Sequence, residues 1–173
     1  MSWLTDLILA LCIAIPLHRW VVNFAFIQGR SMLPTLHHRE LVLVWRLPYL
    51  FRKPRRQEIV ICHYPGRKVK WCRWFPQAFV KRIIALPGDV LEFSEGAVLV
   101  NGAPLAEPYL SPALCRFQRD RGPITLGPDD YFVMGDHRDR SHDSRSIGPI
   151  RHQDIRGRVV CILLPPRRLH RVL

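Results

Sequence analysis

Ser31 lies in Gly29-Arg30-Ser31-Met32-Leu33-Pro34-Thr35-Leu36, a turn-forming stretch behind an apolar N-terminal run. A serine hydroxyl is a weak nucleophile until a positioned base takes its proton. A candidate base follows about fifty residues later: Lys81, set among Phe79, Val80, Ile83 and Ile84. On a strand, Lys81 shares a face with Phe79 and Ile83, and Arg82 points the other way. A lysine on a core-facing side loses hydration, which disfavours the ammonium and lowers its pKa. To act as a base near neutrality the pKa must fall by about 3 from ~10.4, a change of ~4 kcal/mol between protonation states. The same residue also fits the usual fate of lysine, with its stem along apolar surface and its head in water.

A third polar group stands at Gly135-Asp136-His137-Arg138-Asp139-Arg140-Ser141-His142-Asp143-Ser144-Arg145. A loop held by its own ion pairs would account for it. His137, Asp139, His142 and Asp143 are metal-ligand types, but their spacing follows no metal-binding pattern, so no metal is expected.

These residues must be held by short strands. Residues 40–45, 57–62, 79–84, 90–93, 98–100, 131–134 and 155–164 read as strands, with turn signals between them. Asn101-Gly102 is a hairpin turn, His63-Tyr64-Pro65-Gly66 closes the second strand, and residues 104–122 read as irregular. No long helix follows the N-terminus. The expectation is a mainly β domain.

Residues 4–17 are apolar apart from Thr5 and Asp6; His18 and Arg19 interrupt, and residues 20–27 are again mainly apolar. A cleaved signal peptide wants a basic start, and no Lys or Arg precedes Arg19. A buried core helix is a second reading. The favoured one is an uncleaved anchor with Arg19 snorkelling at its outer end and Trp20 at the interface. Residues 1–19 are therefore expected to form a membrane anchor and residues 20–173 an extracytoplasmic catalytic domain. The basic domain runs against the positive-inside tendency, but long domains cross largely regardless of charge.

The formal charge of +12 calls for an anionic neighbour. Residues 67–79 interleave Arg67, Lys68, Lys70 and Arg73 with Trp71, Trp74 and Phe75. That mix suits a solvated basic loop, or a patch among anionic phospholipid headgroups. Nucleic acid is not expected, because no nucleic-acid-binding signature accompanies the charge. The five Cys include no C-x-x-C pair and are odd in number, which fits small buried apolar residues better than a disulfide framework.

Taken in order, Ser-Met-x-Pro-Thr, then Lys-Arg-x-x-x-x-Pro-Gly-Asp, then Gly-Asp-x-Arg-x-x-Ser-x-Asp-Ser-Arg resemble the type I signal peptidases. These are membrane-bound serine proteases with a Ser/Lys dyad. The likeness runs from about Leu17 to Leu169. It implies a signal-peptidase-like β-rich catalytic domain carried by one N-terminal transmembrane helix at the cell membrane, single-pass, facing the extracytoplasmic side. It also implies preproteins bearing signal peptides as substrates, and cleavage after small residues. By the resemblance, Ser31 is the nucleophile, Lys81 the general base and Ser141 the serine that orients the lysine amine. Asp143 and Arg145 match a supporting ion pair, and Ile27, Met32 and Val80 fall where small substrate pockets are lined. No cofactor is implied. Departures include Gln57-Glu58 for a usual Gly-Asp, Ala85 for a glycine, His137 for an asparagine, and Gly29 where some members carry an oxyanion-binding hydroxyl. A specialised, conjugation-type Ser/Lys processing protease and a catalytically silent basic membrane-bound interaction domain are the competing readings.

Overall fold

The structure, a computed structural model, describes residues 3–16, 21–69, 72–111 and 120–172. Arg19, Trp20, Cys115, and the side chains of Arg67, Lys68, Lys70, Trp71, Cys72, Arg73, Trp74 and Phe75 lie outside the described residues.

Helix α1 covers Trp3–Pro16, 14 residues, about 21 Å at ~1.5 Å per residue. A bilayer core is about 30 Å thick. Among the described residues no helix is long and apolar enough to cross a membrane, so the expected spanning helix over residues 1–19 is not formed by them. Trp3, Leu4, Leu7, Ile8, Leu9 and Leu11 are all exposed.

Beyond α1 the described chain is mainly β, as expected. Its strands are β1 (Val22–Phe26), β2 (Leu41–Trp45), β3 (Ile59–Val69), β4 (Cys72–Ala85), β5 (Val90–Ser94), β6 (Ala97–Val100), β7 (Ala103–Pro104), β8 (Arg121–Thr125), β9 (Asp130–Met134), β10 (Ile150–Arg151), β11 (Ile155–Leu164) and β12 (His170–Arg171). Short helices α2 (Pro48–Phe51) and α3 (Ser144–Ile147) follow β2 and precede β10. One sheet has the order β1-β2-β11-β3-β4-β9-β10, with β12 beside β11; the other is β7-β6-β5-β8.

Alternation sets the faces. Val42 and Val44 of β2 are buried between more exposed neighbours, and Leu91, Phe93, Val98 and Val100 turn inward from β5 and β6. Asn101 and Gly102 both take positive φ, 54° and 79°, as the expected hairpin turn requires.

Three expectations change. Residues 22–26, part of the second apolar run, form a strand, because they pair with β2 from Val22↔Trp45 to Phe26↔Leu41. A short apolar run cannot by itself distinguish strand from helix. Strand β3 does not close at residues 63–66 but continues to Val69, with register shifts between His63 and Lys68. Irregular pairing of this kind tolerates proline and glycine inside a ladder, and it places the basic stretch on a long hairpin. Residues 121–125, partly assigned to irregular chain, form β8 against β5.

The Gln57-Glu58 turn survives without its glycine. Gln57 itself takes φ 68°. Glu58 accepts from Tyr49 Oη at 2.7 Å, Arg52 Nη2 at 2.6 Å and the Arg55 N–H at 3.0 Å. Burial pushes its carboxyl up, and these bonds more than reverse that, holding it below the ordinary value.

Candidate active site

Ser31 opens a turn over residues 31–35 between β1 and β2. Two backbone bonds tie the start of that connection to its end: the Ile27 N–H donates to the Glu40 carbonyl and the Arg39 N–H to the Ile27 carbonyl, both at 2.8 Å. Met32 and Leu36 anchor the turn from below, nearly fully buried in one core cluster with Ile27, Val42, Val44 and Ile59. The apolar residues around Ser31 thus fix the backbone that presents it.

Lys81 sits on β4 opposite Val60 of β3. It faces the side that holds Phe79, Ile83 and Cys62, as the alternation anticipated, and is only 2% exposed. Its Nζ stands 2.9 Å from Ser31 Oγ and 3.0 Å from the Val80 carbonyl oxygen. Desolvation by its burial lowers the Lys81 pKa below that of a free lysine. The neighbouring thiol of Cys62 is pushed up by burial to about 12, so it stays a neutral thiol.

Arg82, on the other face of β4, is also only 2% exposed. Its Nε and Nη2 reach Asp136 Oδ1 and Oδ2 at 2.9 and 2.6 Å. Thr35 Oγ1 donates to Asp136 Oδ2 at 2.5 Å, and the Arg82 guanidinium covers the Tyr109 ring at 3.7 Å. One buried cation therefore ties the Ser31 turn, the Lys81 strand and the segment after β9. Sequence reasoning missed this role. Its signal was a polar or ionisable residue within five positions of each: Thr35 after Ser31, Arg82 after Lys81, Asp136 before Ser141.

Gly135 lies where these segments approach closely. A Cβ there would lie 2.3 Å from Ser141 Oγ and 2.4 Å from the Ser31 carbonyl oxygen. Its N–H donates to Asp143 Oδ2 at 3.0 Å. Asp143 takes a two-pronged pair from Arg145, Nε to Oδ1 and Nη2 to Oδ2, each at 2.9 Å. Burial raises the Asp143 pKa, but the Arg145 bonds win and hold it below the ordinary value. Arg145 Nη2 also reaches the Arg138 carbonyl at 2.7 Å, and Arg138 pairs with Glu107. The expected Asp143–Arg145 pair is thus present, and it braces the loop.

Ser141 is beside the Ser31 backbone but not bonded to Lys81. Its Oγ is buried and has no hydrogen-bond partner among the described residues. It lies close enough to Asp143 to favour the ionised carboxylate, without meeting hydrogen-bond geometry.

Val80 and Ile61 pack against the cluster that contains Ile27 and Met32, so those three expected pocket residues are brought together. Beside them is a groove of about 420 Å³ whose lining includes Ala25 of β1, Val44 of β2, Arg156 of β11, Ile61 of β3 and Ala78 of β4. Five strands that neighbour one another in the sheet contribute to it, so the sheet curls around the groove.

A family model described as signal peptidase, peptidase S26, matches residues 1–164. The signal peptidase I of Leptolyngbya laminosa is 35% identical over 162 residues, covering 93% of this chain and 78% of that protein. That of Bacillus licheniformis is 30% identical over 172 residues, covering 95% and 88%. A crystal structure of a signal peptidase I from Enterococcus faecalis superposes with a TM-score of 0.51 at 29% identity, over 62% of this chain and 97% of that one. With most of its length matched by the family model and by these relatives, the chain belongs to the signal peptidase family, peptidase S26.

Proposed function

We propose that this peptidase removes N-terminal signal peptides from secreted preproteins, with Ser31 as nucleophile and Lys81 as general base. The observation that carries the assignment of roles is the 2.9 Å approach of the desolvated Lys81 amine to Ser31 Oγ. When Lys81 is neutral, the hydroxyl donates to the amine lone pair, and the proton moves to Nζ as Oγ attacks the carbonyl carbon after a small residue. The tetrahedral oxyanion accepts from the Ser31 backbone N–H. Lys81 returns the proton to the amine of the departing mature protein, leaving the signal peptide acylated on Ser31. The same amine then takes a proton from water as the water attacks the ester, and returns it to Ser31 Oγ as the ester bond breaks and the signal peptide leaves.

Ser141, whose Oγ is buried near the Ser31 carbonyl and unpartnered among the described residues, is the group suited to orient the Lys81 amine. Asp143 and Arg145 hold its loop. Ile27, Met32 and Val80 form the floor for small substrate side chains, and the adjoining groove takes the extended peptide. Strand β1 is the last in its sheet, and residues 78–81 of β4 pair only with β3 among the described residues. Two strand edges near the groove are therefore open to a peptide backbone.

Anionic phospholipid is the proposed surface partner. Helix α1 is exposed and apolar, Phe24 and Phe26 of β1 are 51% and 65% exposed, and the charge is +12. These features would hold the domain at the outer membrane face, where cleavage sites emerge. Cleavage of a preprotein with an Ala-x-Ala site tests the reading. Wild type should cut after the final Ala, Ser31→Ala and Lys81→Ala should not, and Ser141→Ala should be slower. Substantial cleavage by either of the first two variants would remove the dyad.

A further inference from the structure

One residue grips the nucleophile's backbone on both sides. The His137 N–H donates to the Ser31 carbonyl at 3.0 Å. The His137 ring Nδ1 lies 3.3 Å from the Arg30 carbonyl oxygen. A carbonyl oxygen only accepts, so Nδ1 carries the proton in this contact. His137 is 8% exposed, which shields the bond from water.

The Arg30 carbonyl and the Ser31 N–H are the two ends of one planar peptide group. Hydrogen bonds in series polarise one another, by about 10–30% per bond. A donor at the carbonyl end therefore makes the N–H end a better donor. The Arg30 carbonyl receives a second bond, from the Leu33 N–H at 3.3 Å. Among the described residues the Ser31 N–H itself donates to no backbone carbonyl. This peptide is loaded at its acceptor end and open at its donor end. Gly29 offers no side-chain donor beside it, and its own N–H is directed to His38 Nδ1 at 3.2 Å.

We infer that His137 is a positioning residue for the reaction: by donating to the Arg30 carbonyl it orients and polarises the Ser31 N–H that receives the oxyanion. It touches no substrate. The inference rests on Ser31 being the nucleophile, and the test separates the two.

His137→Phe keeps a ring and removes the donor. With a preprotein substrate its kcat should fall about tenfold, less than the 10²–10³ of losing a direct oxyanion donor, with KM within about twofold. A peptide aldehyde ending in Ala adds reversibly to Ser31 and places a hemiacetal oxygen on the same N–H. Its affinity should fall by the same factor as kcat. His137→Asn, which again carries a side-chain N–H, should recover most of both. Wild-type kcat and aldehyde affinity in His137→Phe, beside an inactive Ser31→Ala, would overturn the role and leave the nucleophile standing. Cleavage by Ser31→Ala would instead overturn both. If His137→Phe does not fold, His137→Ala carries the same test. Parallel losses in kcat and substrate affinity, with His137→Asn no better, would mark His137 as merely structural and overturn the inference.

Discussion

At the scale of single residues, the burial of Lys81 has two effects that can be measured apart. Only the neutral amine accepts a proton, so kcat/KM should rise as pH passes upward through the Lys81 pKa. Desolvation lowers that pKa, so the rising limb should lie below the ~10.4 of a free lysine. A pH–rate profile whose limb lies at the free-lysine value would contradict this. Stability follows the same group. The folded state releases the proton at lower pH than the unfolded chain, so between the two pKa values the unfolded state binds more protons and stability rises with pH. Below the folded pKa the buried ammonium is a standing penalty. Lys81→Met should therefore melt higher than wild type at neutral and acidic pH, with the gain shrinking in alkali. Thermal midpoints against pH check this. Ser31 and Lys81 were legible in sequence because each is a reactive type in a setting that explains it, a turn and an apolar strand. Ser141 was legible as a neighbour, but the bond to the lysine amine that the resemblance implies is not formed, because side-chain rotation is not encoded in motif spacing.

At the scale of elements, the site depends on how closely three segments approach. Gly135 sits where a Cβ would meet the Ser31 carbonyl oxygen at 2.4 Å. That oxygen belongs to backbone, which cannot swing aside as a side-chain tip can. Gly135→Ala should displace Ser31 relative to Lys81 and lower kcat about 100-fold, as misplacements near 1 Å do. Single-turnover rates with a near-normal melting curve would show the loss to be one of geometry. Arg82 holds the same segments by charge. Removing it strands the buried Asp136 carboxylate, and breaking such a pair costs about 3–5 kcal/mol. Arg82→Ala should lower the thermal midpoint by on the order of 10 °C and reduce activity with it. Strands β2, β5, β6, β9 and β11 were readable from alternation and turn chemistry. Strand β1 was not, since its apolar run continued the N-terminal one and only pairing with β2 selects an extended chain. The length of the β3–β4 hairpin was hidden by Pro65-Gly66, a turn signal overridden by irregular pairing. The role of Arg82 escaped because opposite charges distant in sequence reveal a pair only after the sheet is assembled.

For the whole molecule, charge and apolar exposure act on the same question, where the enzyme works. Binding to vesicles of anionic phospholipid should exceed binding to zwitterionic ones and weaken with added salt. Cosedimentation across a salt series measures both, and equal binding to the two compositions would remove the electrostatic part. The sequence made the mainly β class readable through its many short, alternating, turn-bounded segments. The tie from Arg82 to Asp136 and Thr35 has a final consequence for the lifetime of the enzyme. A guanidinium that joins all three reactive segments leaves little room for a dormant form in which the chain is intact but the site is scattered. Heat should silence this peptidase and melt it at one temperature, and cooling that restores the fold should restore cutting without a lag.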